Sequence, residues 1–202
     1  MENGAVLPLF YLPNIEYFKN LSDYKENLLL EDKEHYPKQT FRNRTYISGA
    51  NGKLSLTVPV QKPSNKYTVY RDIRISYDED WQRIHWLSLE ASYRSSSYFE
   101  FYEDIFKPFY NQKFEFLLDY NEQMLNALTK ILKLKVSYNF VDEYHKQYTD
   151  RVDFRTSLSL KKETGYKNKP YFQVFDDRNE THNNISVIDL IFSVGPQASK
   201  YF

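Results

Sequence analysis

The eleven residues from Glu34 to Arg44, Glu34-His35-Tyr36-Pro37-Lys38-Gln39-Thr40-Phe41-Arg42-Asn43-Arg44, form the densest run of polar side chains in the chain. Lys38, Arg42 and Arg44 have the charge to hold a phosphate or carboxylate, and a guanidinium fork suits a planar two-point contact. His35 titrates near neutrality and is a candidate general base. The same letters also describe a solvated connecting loop whose arginines pair with acids elsewhere, and both readings stand.

Further along, His85 lies four residues from both Trp81 and Leu89, so it shares an apolar helix face with them. It is read either as a hydrogen-bonded core residue or as a second proton carrier. Asn121 falls between Leu117 and Met124-Leu125 on the apolar stripe of another helix, where a buried amide must find partners or line a pocket. Asp78-Glu79-Asp80 spells an Asp-x-Asp metal-nucleotide pattern, but Asp80 directly precedes a helix and the position asks for an N-cap. Ser186-x-x-Asp189 is a close variant of the capping box before an apolar run. Glu90 and Arg94 are spaced to pair along one helix. Histidines 35, 85, 145 and 182 are scattered, cysteine is absent, and neither a Gly-rich phosphate loop nor a Gly-x-Ser-x-Gly elbow occurs. No metal or cofactor is expected.

These residues need elements to position them. Val6 to Leu12 reads as a buried strand, Ile15, Phe18 and Leu21 as a helix, and Leu28 to Leu30 as a second strand, which together have the size of a βαβ unit. Alternation of Leu54, Leu56, Val58 and Val60 after Ser48-Gly49-Ala50-Asn51-Gly52 predicts a hairpin. Val69 to Ile75 suggests a further strand. Trp81 to Arg94, Ser97 to Gln112 and Phe114 to Leu132 read as a central group of helices, the first apolar on two sides and so expected between layers. Leu134 to Phe140 alternates as a strand, and Val187 to Phe192 as a short helix stopped by Gly195-Pro196. The fold class is α/β, one domain over 1–202 with a mixed β-sheet. Residues 143–184 form a polar stretch expected to be a loop or lid, and Arg151 to Lys169 within it has six basic against two acidic residues.

At 202 residues the chain can bury a core without staples. Charge balances at 27 basic against 27 acidic side chains, which gives no global pull towards nucleic acid or anionic membrane. Aromatic residues make up 18% of the chain, a composition that suits both a core and sugar-stacking surfaces. The absence of cysteine, of a signal-like start and of a membrane-length apolar run leads to the expectation of a cytoplasmic protein without a membrane span.

Several stretches, in order, resemble the WbqC-like protein family, in the form its Bacteroidetes members take. They are Leu7-Pro8-Leu9-Phe10-Tyr11-Leu12-Pro13, the His35 to Arg44 segment, Asn51 to Val60, Trp81 to Glu100, Tyr171-Phe172-Gln173-Val174-Phe175 and Ser186 to Leu190. Two stretches depart from the family's pattern. Asn179 to Ser186 stands where relatives show Gly-Phe-x-Pro-Asn-Leu-Ser, and Leu7-Pro8-Leu9 replaces Gln-Pro-Tyr. The resemblance implies a role in surface-polysaccharide pathways of the O-antigen type. The first expectation is therefore a transferase or accessory enzyme acting on a nucleotide-linked, otherwise anionic, or amino sugar. In that scheme Lys38, Arg42 and Arg44 hold the anion, Asn43, Asn121 and Gln173 orient polar groups, His35 or His85 moves a proton, and Arg155 and Lys162 close over the ligand. The alternative is a non-enzymatic saccharide-binding or scaffold protein with an assembly partner.

Overall fold

The computed structural model describes residues 4–62, 65, 67–160 and 164–202. Lys162 lies outside the described residues. Strand β1 (Ala5–Pro8) is buried along its whole length, as a strand covered on both faces of a parallel sheet must be. Pro13 and Asn14 then turn the chain into helix α1 (Ile15–Asp23), where the Asn14 side-chain oxygen accepts from the Tyr17 amide at 3.2 Å and so caps the free end. The chain returns as β2 (Leu28–Glu31), parallel to β1 with Ala5 opposite Leu28. This is the expected βαβ start.

Two short strands complete the sheet, β5 (Tyr138–Phe140) beside β2 and β6 (Val152–Asp153) beside β1. The order is β5-β2-β1-β6, all parallel. The antiparallel pairing forms its own two-stranded sheet, β3 (Arg44–Gly49) with β4 (Gly52–Thr57), joined at Ala50-Asn51. Gly52 takes φ of +103° there, a conformation that the turn requires and that side chains resist.

Helices α2 (Trp81–Tyr93), α3 (Phe99–Asn111), α4 (Leu117–Ile131) and α5 (Val187–Val194) pack around this frame. The Phe192 ring sits 5.1–5.4 Å from those of Tyr93, Phe99 and Phe106, tying α5 to α2 and α3. Helix α2 buries one face and not two, since Trp81, His85 and Leu89 are inside while Ile84 and Leu87 are 57% and 48% exposed. The strand expected over Val69 to Ile75 is a single 3-10 turn, Tyr70–Asp72. Its backbone donors go to different segments, Tyr70 to the Glu34 carbonyl, Arg71 to that of Asp32 and Ile75 to that of Glu115, so no ladder can propagate. Asp80 precedes α2 without a side-chain capping bond. No helix among the described residues is long and apolar enough to cross a membrane.

The carboxyl end of the sheet is heavily charged. Glu31 is fully buried and accepts from the backbone amides of Lys33 (2.9 Å) and Glu34 (3.1 Å) and from Arg155 Nη1 (3.0 Å). Arg155 also bonds Asp153 and the carbonyls of His145 and Lys146, with its guanidinium 4.8 Å from the Tyr148 ring and 5.5 Å from that of Tyr144. One arginine thus gathers the stretch from Tyr144 to Asp153 onto the end of β2. Replacing Arg155 with Met should cost about 3–5 kcal/mol in urea unfolding, because Glu31 is left charged and buried, and adding Glu31→Gln should recover part of the loss.

Candidate functional site

Loops that follow the strands of the parallel sheet build the candidate site. Here the chain leaving β1 supplies Asn14, and the chain leaving β6 supplies Leu158 to Leu160; both line a cleft of about 960 Å³. Phe41 and, from the hairpin, Tyr46 and Lys53 form another wall. Thr164 to Asn168 and Thr181 to Ile185 close the remaining side.

Amide side chains lace these last two segments together. Asn168 Oδ1 accepts from the Asn184 amide (2.9 Å), Asn183 Oδ1 from the Asn168 amide (3.1 Å), and Asn184 Nδ2 donates to Glu16 on α1 (2.8 Å). Asn184 sits at φ of +52°, which a short polar side chain tolerates. The described lining contains the cations Lys53 and Lys167, the rings of Phe41, Tyr46 and Tyr166, and no carboxylate. Such a wall favours an anion with an apolar face.

Behind this wall, Asp189 in the first turn of α5 is fully buried. Its two oxygens accept from Tyr93 Oη and Tyr171 Oη, each at 2.8 Å. Tyr171 Oη in turn accepts from Gln173 Nε2 (3.0 Å). The Gln173 amide clasps the backbone of His182 in both directions, donating to its carbonyl and accepting from its N–H at 2.8 Å each. A chain of hydrogen bonds therefore runs from the core to a residue of the cleft. The Ser186 hydroxyl does not close a capping box; it donates to the Leu12 carbonyl at 3.0 Å.

Burial pushes the Asp189 carboxyl up to about 6, against the two tyrosine bonds that favour its ionised form. Burial, and next the charge of Lys53, lower the His182 imidazole, while Asp176 and Glu180 oppose the shift. His182 Nε2 has no surface and no hydrogen-bond partner among the described residues.

The structure brings some of the sequence-derived candidates together and leaves others apart. Arg42 is 2% exposed, its guanidinium paired with Glu34 and set over the rings of Phe10 and Tyr70. Asn121 Nδ2 donates to the Arg42 carbonyl (2.6 Å) and to Tyr70 Oη (2.7 Å), so these two residues do meet, in the interior. Asn43 donates to the Val58 carbonyl (2.9 Å) and Arg44 to Thr57 Oγ1 (3.0 Å).

His85 bonds Tyr11 Oη (2.9 Å) inside an aromatic cluster, and burial lowers it to about 4. Tyr11 stacks on Tyr120, the neighbour of Asn121, so the histidine reaches the same region indirectly. His35 and Lys38 are exposed on the connecting loop, with the His35 ring 5.2 Å from that of Tyr67. Arg155 sits on Glu31, and Gln173 stands behind the cleft. Lys53, Lys167 and His182 were not singled out from the sequence. The clearest available signal was Asp189, an acid inside the apolar run Val187 to Phe192.

A parallel α/β frame beside an amide- and lysine-lined cleft defines the class. The chain belongs to the WbqC-like protein family, whose model matches residues 10–169. No curated protein and no solved structure matches it. Among the described residues, no group of three or more His, Cys, Asp or Glu side chains is placed to hold a metal ion.

A raised carboxyl favours folding in its protonated state, so this stabilisation is complete below the unfolded value near 4 and is lost as pH rises through about 6. Urea unfolding of wild type and Asp189→Asn should therefore show a stability difference that changes by about 2–3 kcal/mol against wild type between pH 4 and 6 and then levels off.

Proposed function

We propose that the cleft binds a phosphate-linked sugar and that the protein serves surface-polysaccharide assembly as a transferase or an accessory enzyme. The observation that carries this reading is the lining itself, two lysines and three aromatic rings with no carboxylate among the described residues. Lysine ammonium groups neutralise phosphate, and ring faces cover the apolar side of a sugar or base. A volume of about 960 Å³ accommodates a ligand of nucleotide-sugar size. Family membership supports the pathway, through the polysaccharide role that the WbqC-like resemblance implies.

In this reading Arg42 holds the wall through Glu34, and the anion goes to Lys53 and Lys167.

Thermal shift and titration calorimetry with UDP-N-acetylglucosamine, UDP-glucose and dTDP-glucose, against the free sugars and neutral oligosaccharides, test the proposal. The nucleotide-linked set should raise the melting temperature, and the double variant Lys53→Ala, Lys167→Ala should bind at least about tenfold more weakly, as loss of charge-assisted bonds predicts, with its own melting point unchanged. A shift from neutral oligosaccharides alone would instead support the non-enzymatic saccharide binder.

A further inference from the structure

We propose that His182 reads the sugar itself, giving a neutral imidazole nitrogen to one of its hydroxyls, and that Gln173 is the positioning residue that sets it there; the inference rests on the cleft being the sugar site. Three observations converge on this residue. His182 lines the cleft and is part-exposed, yet its Nε2 is buried with no partner among the described residues. A polar atom left this way at the border of a cleft gains by turning towards a ligand that can complete it.

Second, the backbone of His182 is pinned on both sides by the Gln173 amide, itself 1% exposed and anchored through Tyr171 to Asp189. The Cα is therefore held in place, and rotation about the two side-chain torsions would carry Nε2 into the cleft from a set origin.

Third, the charged groups around the ring keep it neutral. Burial and Lys53 disfavour the imidazolium, and of the opposing acids Asp176 already accepts from the Gln173 backbone N–H (2.8 Å) and from Thr181 Oγ1 (3.1 Å), leaving Glu180. A neutral imidazole has one donor and one acceptor nitrogen, the pairing a sugar hydroxyl answers, whereas the neighbouring Lys53 answers phosphate. The two side chains thus divide the ligand, one taking its charge and the other its hydroxyl pattern.

Calorimetry on the full chain with UDP-N-acetylglucosamine, UDP-glucose and dTDP-glucose, each beside UDP or dTDP alone, separates these roles. His182→Ala should weaken the best-bound nucleotide sugar by about tenfold, the loss of one buried hydrogen bond, and leave the bare nucleotide unchanged. His182→Gln, whose amide reaches a similar point, should restore part of the affinity. Gln173→Leu should give the same selective loss, with the His182 ring resonance displaced in NMR spectra and Lys53→Ala showing the contrasting pattern of loss for sugar and nucleotide alike.

If none of the probes binds the wild type, the cleft reading falls and takes this inference with it. If wild type binds, Lys53→Ala weakens it and His182→Ala binds as tightly as wild type, only the role of His182 is overturned. Equal losses for nucleotide and nucleotide sugar in His182→Ala would also overturn it.

Discussion

A carboxylate with no access to water has to be compensated from within, and the way Asp189 is compensated organises much of this molecule. Its two hydroxyl donors come from opposite directions. Tyr93 belongs to α2 and also receives the Ser48 amide of the hairpin at 3.2 Å, while Tyr171 leads through Gln173 to the cleft wall. Helix α5, α2 and the segment 171–182 therefore meet directly at Asp189, and the hairpin joins them through the Tyr93 hydroxyl. An apolar residue at this position would pack, but it would give those four pieces no common point of register. The same logic, with full charges, operates at Glu31, where a guanidinium and two backbone amides converge on a carboxylate at the end of β2.

The interior polar network and the cleft have separate work. Arg42, Glu34, Asn121 and Tyr70 form a group in which the guanidinium has its carboxylate and the Asn121 amide nitrogen has its two oxygens. Such a group fixes how the His35 to Arg44 loop leaves the core, and so where Phe41 meets the cleft. The cleft keeps its charge uncommitted by comparison, since its two lysines face no carboxylate among the described lining residues.

Much of the frame was legible in the sequence because its signals are local. The apolar run before Pro13, the spacing of Ile15, Phe18 and Leu21, the alternation after Gly52 and the stripe from Leu117 to Ile131 each report on their own neighbourhood. What was hidden depends on partners far along the chain. Strand β6 is two residues long inside a polar stretch, too short for any periodicity to register. Ser186 and Asp189 spell a capping box, but Leu12, Tyr93 and Tyr171 claim their side chains, and nothing local announces that competition. Likewise the letters of Arg42 gave its charge and reach, while the Glu34 contact that occupies it is a product of the fold. For the cleft, the lysines and His182 lie in three separate segments, and only the fold brings them to one cleft.

The first and last parts of the chain are joined directly, with the Ile15 amide donating to the Ile185 carbonyl, the Val187 amide to that of Pro13, and Asn14 bridging Ser186. During synthesis on the ribosome, the start of α1 must wait until residues 185–187 have been made before this partner exists. The apolar surface of α1 and the strand before it is then a nascent-chain liability, uncovered until those residues emerge. The joint should accordingly close late and in one step, once α5 has left the exit tunnel, and not grow piece by piece as the sheet is made.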